Sequence, residues 1–134
     1  MATIQRRVDI ASSAANIWAV VRDFGGLHQM VPGFVVSCVR EGNVRIVAFN
    51  NGVVVHEELV SCDDELRRLA WTIFGGRFKH HNGSMHVVAT GSDTSEVTWT
   101  SDLLPDELAP VVDGMMAQAL SVMKTTLDLA TPKA

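Results

Sequence analysis

No apolar run in this chain approaches the roughly 18 residues that a membrane-spanning helix needs, so no membrane span is expected. The N-terminus, MATIQRRVDIA, alternates apolar and polar residues instead of setting charges ahead of an apolar stretch, which is not the pattern of an export signal. The expected location is the cytoplasm. Cysteine is scarce: Cys38 and Cys62 are too few for a disulfide framework and are not spaced as a metal pair. Clustered positive charge is scarce too. The net charge is −4 and no basic cluster exceeds Arg6-Arg7 or Arg67-Arg68, so nothing is available to neutralise a phosphate backbone and no nucleic-acid partner is expected. Linkers, repeats and low-complexity tracts are also missing. What is present suits one folded unit: 134 residues, 47% apolar and 19% charged, predict a single domain over 1–134 with a sizeable core.

Ile4, Arg6, Val8 and Ile10 alternate with Thr3, Gln5, Arg7 and Asp9, which predicts a first strand. Ser12-Ser13 offers an N-cap for a helix through SAANIWAVVRDF, stopped by Gly25-Gly26. A second short helix in GGLHQMVPG ends at Pro32-Gly33. The period then changes to two. FVVSCVRE, VRIVAFN, VVVHEELVSC, RRLAWTIF, SMHVVAT and EVTWTSDLL are six strand-like runs, joined by the hairpin-sized links GN, NNG, DDEL, GGRFKHHNG and GSDTS. From Pro105 onward, Leu108, Val112, Met115, Ala119, Val122 and Thr126 follow helical spacing, so a long helix begins near Asp106, with Pro110 tolerated close to its start. One long helix against a curved antiparallel sheet of seven strands is an α+β architecture. Such a meander sets a whole strand between Cys38 and Cys62, which puts their α-carbons beyond the roughly 7 Å limit of a disulfide and predicts two free thiols.

The segments IWAVVRDFGGL, GFVVSC, EELVSCDDELRRLAWTIFGG and VTWTSDLLP, in this order and spacing, resemble the helix-grip proteins of the START-like (SRPBCC) superfamily. The resemblance covers essentially the whole chain and points to the polyketide cyclase/dehydratase-like group, near the plant abscisic-acid receptors. It implies a sheet wrapped around the last helix, with a cavity for an apolar ligand between them. It also implies a pocket glutamate at Glu57, a pocket-side arginine at Arg45 and an aromatic pocket position at Trp71. Three features depart from the receptors. Their hormone-anchoring lysine aligns with Val36, their gate loop is reduced to Asn50-Asn51-Gly52, and their latch falls on Phe78-Lys79-His80, so hormone sensing by that route is not expected.

The residues themselves support a pair at Glu57. Asn50-Asn51-Gly52 fits a three-residue hairpin loop with Gly52 at positive φ. That loop opposes Phe49 to Val53, Val47 to Val55 and Arg45 to Glu57 on one face; a two-residue turn would instead bring Ile46 to Glu57. A carboxylate buried without a partner costs several kcal/mol, so Arg45 is the expected answer to its charge. A purely structural cross-strand pair, or a solvated one worth only about 0 to 1 kcal/mol, fits the same residues. Parity extends the inward face to Leu59, to Leu69, Trp71 and Ile73, to Met85, Val87 and Ala89, and to Val97, Trp99, Ser101 and Leu103. One helix cannot cover so wide a sheet, and a residual cavity on the order of a few hundred Å³ is expected. The candidate ligand-binding residues are therefore Val47, Phe49, Val55, Leu59, Trp71, Ile73, Met85, Val87, Trp99, Ser101, Met115 and Ala119, with Met116 and Met123 as further adaptable helix residues.

No metal site is expected. His80 and His81 would face opposite ways on a strand, and His56 and His86 have solvent parity. P-loop, dinucleotide and G-x-S-x-G motifs do not occur, so no cofactor and no covalent nucleophile are expected. Two functions stay open: a non-catalytic carrier or sensor of a small hydrophobic, ring-containing molecule, and a cyclase/dehydratase-like enzyme using Glu57 and Arg45 as candidate catalytic groups. An arginine partner weakens Glu57 as a base while burial strengthens it, and Arg45 suits an enolate oxygen. A third option, a domain acting on client proteins, is disfavoured because no exposed apolar stripe is evident in the sequence.

Overall fold

The structure is a computed structural model that describes residues 1–129. It runs β1 (Ala2–Ile10), α1 (Ala14–Val21), α2 (Leu27–Met30), β2 (Val35–Glu41), β3 (Val44–Phe49), β4 (Val54–Asp63), β5 (Arg68–Phe74), β6 (His80–Ala89) and β7 (Ser95–Leu104). One 3-10 turn at Asp106–Leu108 then leads into α3 (Ala109–Leu129). The strands form one antiparallel sheet in the order β1-β7-β6-β5-β4-β3-β2, so β2 to β7 is an uninterrupted meander and β1 closes the far edge beside β7. This is the helix-grip α+β fold expected from the order of segments.

Local chemistry sets the element ends. Ser13 is extended, and its hydroxyl accepts the Asn16 N–H at 3.2 Å, capping α1. That helix stops at Val21, before Gly25-Gly26, because the Asp23 N–H turns back to the Val20 carbonyl and tightens the last turn. Between β3 and β4 the Phe49 N–H reaches the Val53 carbonyl at 2.9 Å and Gly52 has φ +87°. Arg45 therefore faces Glu57 and Val47 faces Val55, the register that the three-residue loop predicts. The Asp63 carboxylate accepts the N–H groups of Glu65 and Leu66, turning the chain from β4 into β5. Asp64 accepts both Trp18 Nε1 and Arg22 Nε at 2.9 Å, which ties this turn to α1. Those bonds, Trp18's first, hold the Asp64 carboxyl below the usual carboxylate range.

Helix α3 lies along the inner face and is fastened to β1 by polar bonds. Arg6 grips Asp113 through two bonds of 2.6 and 3.0 Å, Lys124 donates to the Asp9 carbonyl, and Asp128 accepts the Ala11 N–H. Its most buried stripe is Val112, Met116, Ala119, Leu120, Met123 and Leu127, while Val122 and Thr126 are half-buried. The helix is thus rotated towards Met116 and Met123 relative to the spacing read from sequence. Three further expectations need correction. Strand β6 begins at His80 instead of Ser84, because β7 is long enough to pair with it as far as His80↔Leu104, and the β5–β6 link shrinks to residues 75–79. Ala89, assigned to the inner face, is exposed at the far end of β6. An apolar stripe does exist outside: Val39, Ile46, His56 and Phe74 pair in one cross-strand row on the outer face, with Val39 and Phe74 about half exposed.

Candidate ligand cavity

The meander and α3 enclose a cavity of about 460 Å³, joined at its inner end to a small chamber of about 40 Å³. Phe34, Phe49, Glu57, Trp71, Trp99 and Met115 belong to the walls of both. Its mouth is rimmed by Asn50, Asn51 and Val53 of the β3–β4 loop, by Arg77 and Phe78 between β5 and β6, and by Val111 and Gln118 of α3. The segments matched to the receptors' gate and part of their latch therefore stand at the rim. Val36, matched to their lysine, does not face the cavity: it sits at a β2 bulge, 59% exposed, and Val35 takes the inward place.

The charged pair lies at the junction of the two chambers. Arg45 Nε donates to Glu57 Oε1 at 2.7 Å, with both side chains buried. The guanidinium also donates to the Phe24 carbonyl at 3.2 Å and lies over the Phe24 ring at 4.1 Å and the Trp71 ring at 5.3 Å. Carboxylate, carbonyl and ring faces together replace the water that Arg45 loses on burial. Close by, the Cys38 thiol points at the same Phe24 carbonyl, and burial pushes its pKa up, away from reactive thiolate. Cys38 and Cys62 are both free.

The structure gathers Phe49, Val55, Trp71, Ile73, Met85, Trp99, Met115 and Ala119 into the cavity walls. Val47, Leu59, Val87 and Ser101 share their face but stay outside the walls. Val47, Val87 and Ser101 are fully covered by neighbouring side chains, and Leu59 is half-buried against the core. Glycine at 83 is what lets the Trp71 indole approach β6 so closely, since a Cβ there would come within 2.7 Å of the ring. Sequence reading missed Phe34 and His81, and gave Phe78 only through the resemblance, as part of the latch segment. Counting back from Met85 by twos reaches Gly83 and His81, so parity would have found the histidine had its segment been read as strand.

His81 is 4% exposed, its ring 5.1 Å from that of Phe78, and its Nδ1 has no hydrogen-bond partner. Desolvation, helped by nearby His80 and opposed by Asp102, lowers its pKa from the ordinary 6.5 to about 4. The folded protein therefore resists a proton that the unfolded chain accepts between pH 6.5 and 4. Stability should be full above this window and fall as pH drops through it, by up to about 3 kcal/mol. Urea midpoints at pH 7 and pH 4.5 check this, and His81→Phe should flatten that slope; a variant that keeps it would assign the loss to other groups. Among the described residues no group of three or more His, Cys, Asp or Glu side chains is placed to hold a metal ion, and no helix is long and apolar enough to cross a membrane.

A curved sheet gripping one long helix around an apolar cavity defines a START-like container. The family described as polyketide cyclase/dehydrase and lipid transport matches residues 1–128, and the chain belongs to it. None of the curated proteins matches the sequence. Among solved structures, XoxI of Bacillus cereus is 22% identical with a TM-score of 0.88, over 98% of this chain and 100% of that one. A START superfamily protein of Mycobacterium smegmatis is 17% identical with a TM-score of 0.72, over 96% of each chain. The di-domain ARO/CYC BexL of the BE-7585A biosynthetic pathway is 14% identical with a TM-score of 0.85, over 99% of this chain and 48% of that one. At these identities the likeness is one of fold.

Proposed function

We propose that the protein binds a small, ring-containing hydrophobic molecule in the cavity beneath α3, with the Arg45–Glu57 pair orienting a carbonyl or hydroxyl of the ligand. The observation that carries this reading is a buried ion pair whose Glu57 reaches the wall of a largely apolar and aromatic cavity of about 460 Å³, within the range of small-molecule sites. The paired tryptophans, Trp71 and Trp99, 6.2 Å apart, offer aromatic faces to such rings. Two unpaired thiols suit the reducing cytoplasm as the setting.

Glu57 also faces the cavity, and this favours a second reading: proton transfer in a cyclisation or dehydration of a polyketide-like substrate held by the same walls. Glu57→Gln separates the two. It keeps the shape and one hydrogen bond to Arg45 but removes the negative charge. For a carrier, affinity for a ring ligand such as 2-naphthol, measured by calorimetry, should weaken a few-fold. For an enzyme, turnover of a linear poly-β-ketone thioester should drop about 100-fold or more with affinity nearly intact. A cavity that takes up neither compound at millimolar concentration would refute both.

A further inference from the structure

The ion pair is not the only polar feature of the cavity. On the inner face Arg45 pairs with Glu57 and Glu57 with Ile73. Continuing the β5–β6 register from Trp71↔Gly83 by two residues brings His81 level with Ile73. The bond from Thr72 Oγ1 to the His81 carbonyl anchors the strands there. His81 itself pairs with Leu103. One row across the sheet therefore carries a charged pair, an isoleucine and a histidine. Two inter-strand steps separate Glu57 from His81, about 10 Å between backbones.

His81 lines the larger cavity, and its Nδ1 is buried with no partner. A buried polar atom without a partner is uncommon and costly, and in a residue of the cavity wall it is a candidate to bond a ligand that enters. On the adjacent strand Trp99 Nε1, in the same wall, is buried and partnerless as well. The ring of His81 is kept neutral by burial, so it presents one N–H and one lone pair, suited to a hydroxyl or carbonyl, and brings no positive charge to offset a carboxylate in the apolar wall.

We propose that His81 is a second ligand-binding residue of the cavity, hydrogen-bonded through Nδ1 to an oxygen of the ligand at the end opposite the Arg45–Glu57 pair. The ligand class this selects is an uncharged ring system with hydroxyl or carbonyl groups at both ends and an apolar middle packed on Ile73. This inference rests on the binding function proposed above and adds the chemistry of the ligand.

The test compares 2,6-naphthalenediol, whose hydroxyls stand at opposite ends of a two-ring body, with naphthalene. Calorimetry on the wild-type protein should show the diol binding at least tenfold more tightly. His81→Phe should weaken the diol about fivefold, the worth of one net hydrogen bond, and change naphthalene less than twofold. The ¹⁵N resonance of His81 Nδ1 in the wild-type protein gives an answer that does not depend on the variant folding: it should move on adding the diol and stay fixed on adding naphthalene. An Nδ1 resonance unmoved at saturating diol, or a folded His81→Phe variant with unchanged diol affinity, would overturn the role of His81 while leaving the container intact. Binding of neither compound by the wild-type protein would overturn the container, and this inference with it.

Discussion

Arg45→Met is expected to destabilise the protein by about 3 to 5 kcal/mol, whereas the double variant Arg45→Met, Glu57→Leu should lie within about 1 kcal/mol of wild type or above it. The asymmetry follows from burial. With Arg45 gone, the Glu57 carboxylate stays at the cavity floor with no cation and loses its 2.7 Å bond. The rings of Phe24 and Trp71 lose the charge above them, and the Phe24 carbonyl loses a donor. Removing both charges leaves apolar surface against apolar walls and little to desolvate. A pair costly to break yet dispensable as a pair is one kept for a reason other than stability, and the function proposed above supplies one: a polar end for a ligand. Urea denaturation of the three proteins measures both numbers. Equal destabilisation by the single and double variants would instead show that the guanidinium acts through packing alone.

Trp71→Ala should cost about 3 to 5 kcal/mol as well, through a different mechanism. The indole is 2% exposed and forms part of the wall of both chambers. It also packs on Gly83, where no side chain can refill the space. Truncation should merge the small chamber with the large one and leave a hole lined by Met85, Trp99 and Met115. The loss of urea stability should be partly recovered by adding naphthalene, a compound sized to fill that hole, by an amount that grows with its concentration. A destabilised variant indifferent to naphthalene would mean that the walls collapse inwards instead of holding a cavity open.

Much of this molecule can be read from its residues because period and turn chemistry agree. Asn50-Asn51-Gly52 sets the register that brings Arg45 to Glu57, and the alternation in RRLAWTIF and EVTWTSDLL assigns Trp71 and Trp99 to the inner face. What parity cannot supply is depth. Val47 and Val87 share the face of Phe49 and Met85, yet sheet curvature places them under covering side chains and away from the open space. His81 was hidden for another reason. Its segment, GGRFKHHNG, is dense in glycine and polar residues and reads as a link, but the length of β7 draws it into the ladder. The outer row of Val39, Ile46 and Phe74 was missed because its members lie on three strands, and no single segment shows the stripe.

The proposed function requires that a ring-containing ligand enter the cavity beneath α3. The six methionines report on it through their methyl groups. Met115 lines both chambers, Met116 is fully buried outside them, and Met1 is exposed just ahead of β1, its amino group paired with Asp106. Titrating methyl-¹³C-methionine protein with 2,6-naphthalenediol should move the Met115 methyl resonance saturably and by the largest amount of the six. A Met115 resonance that stays fixed to millimolar diol, or equal drift of all six, would contradict the account.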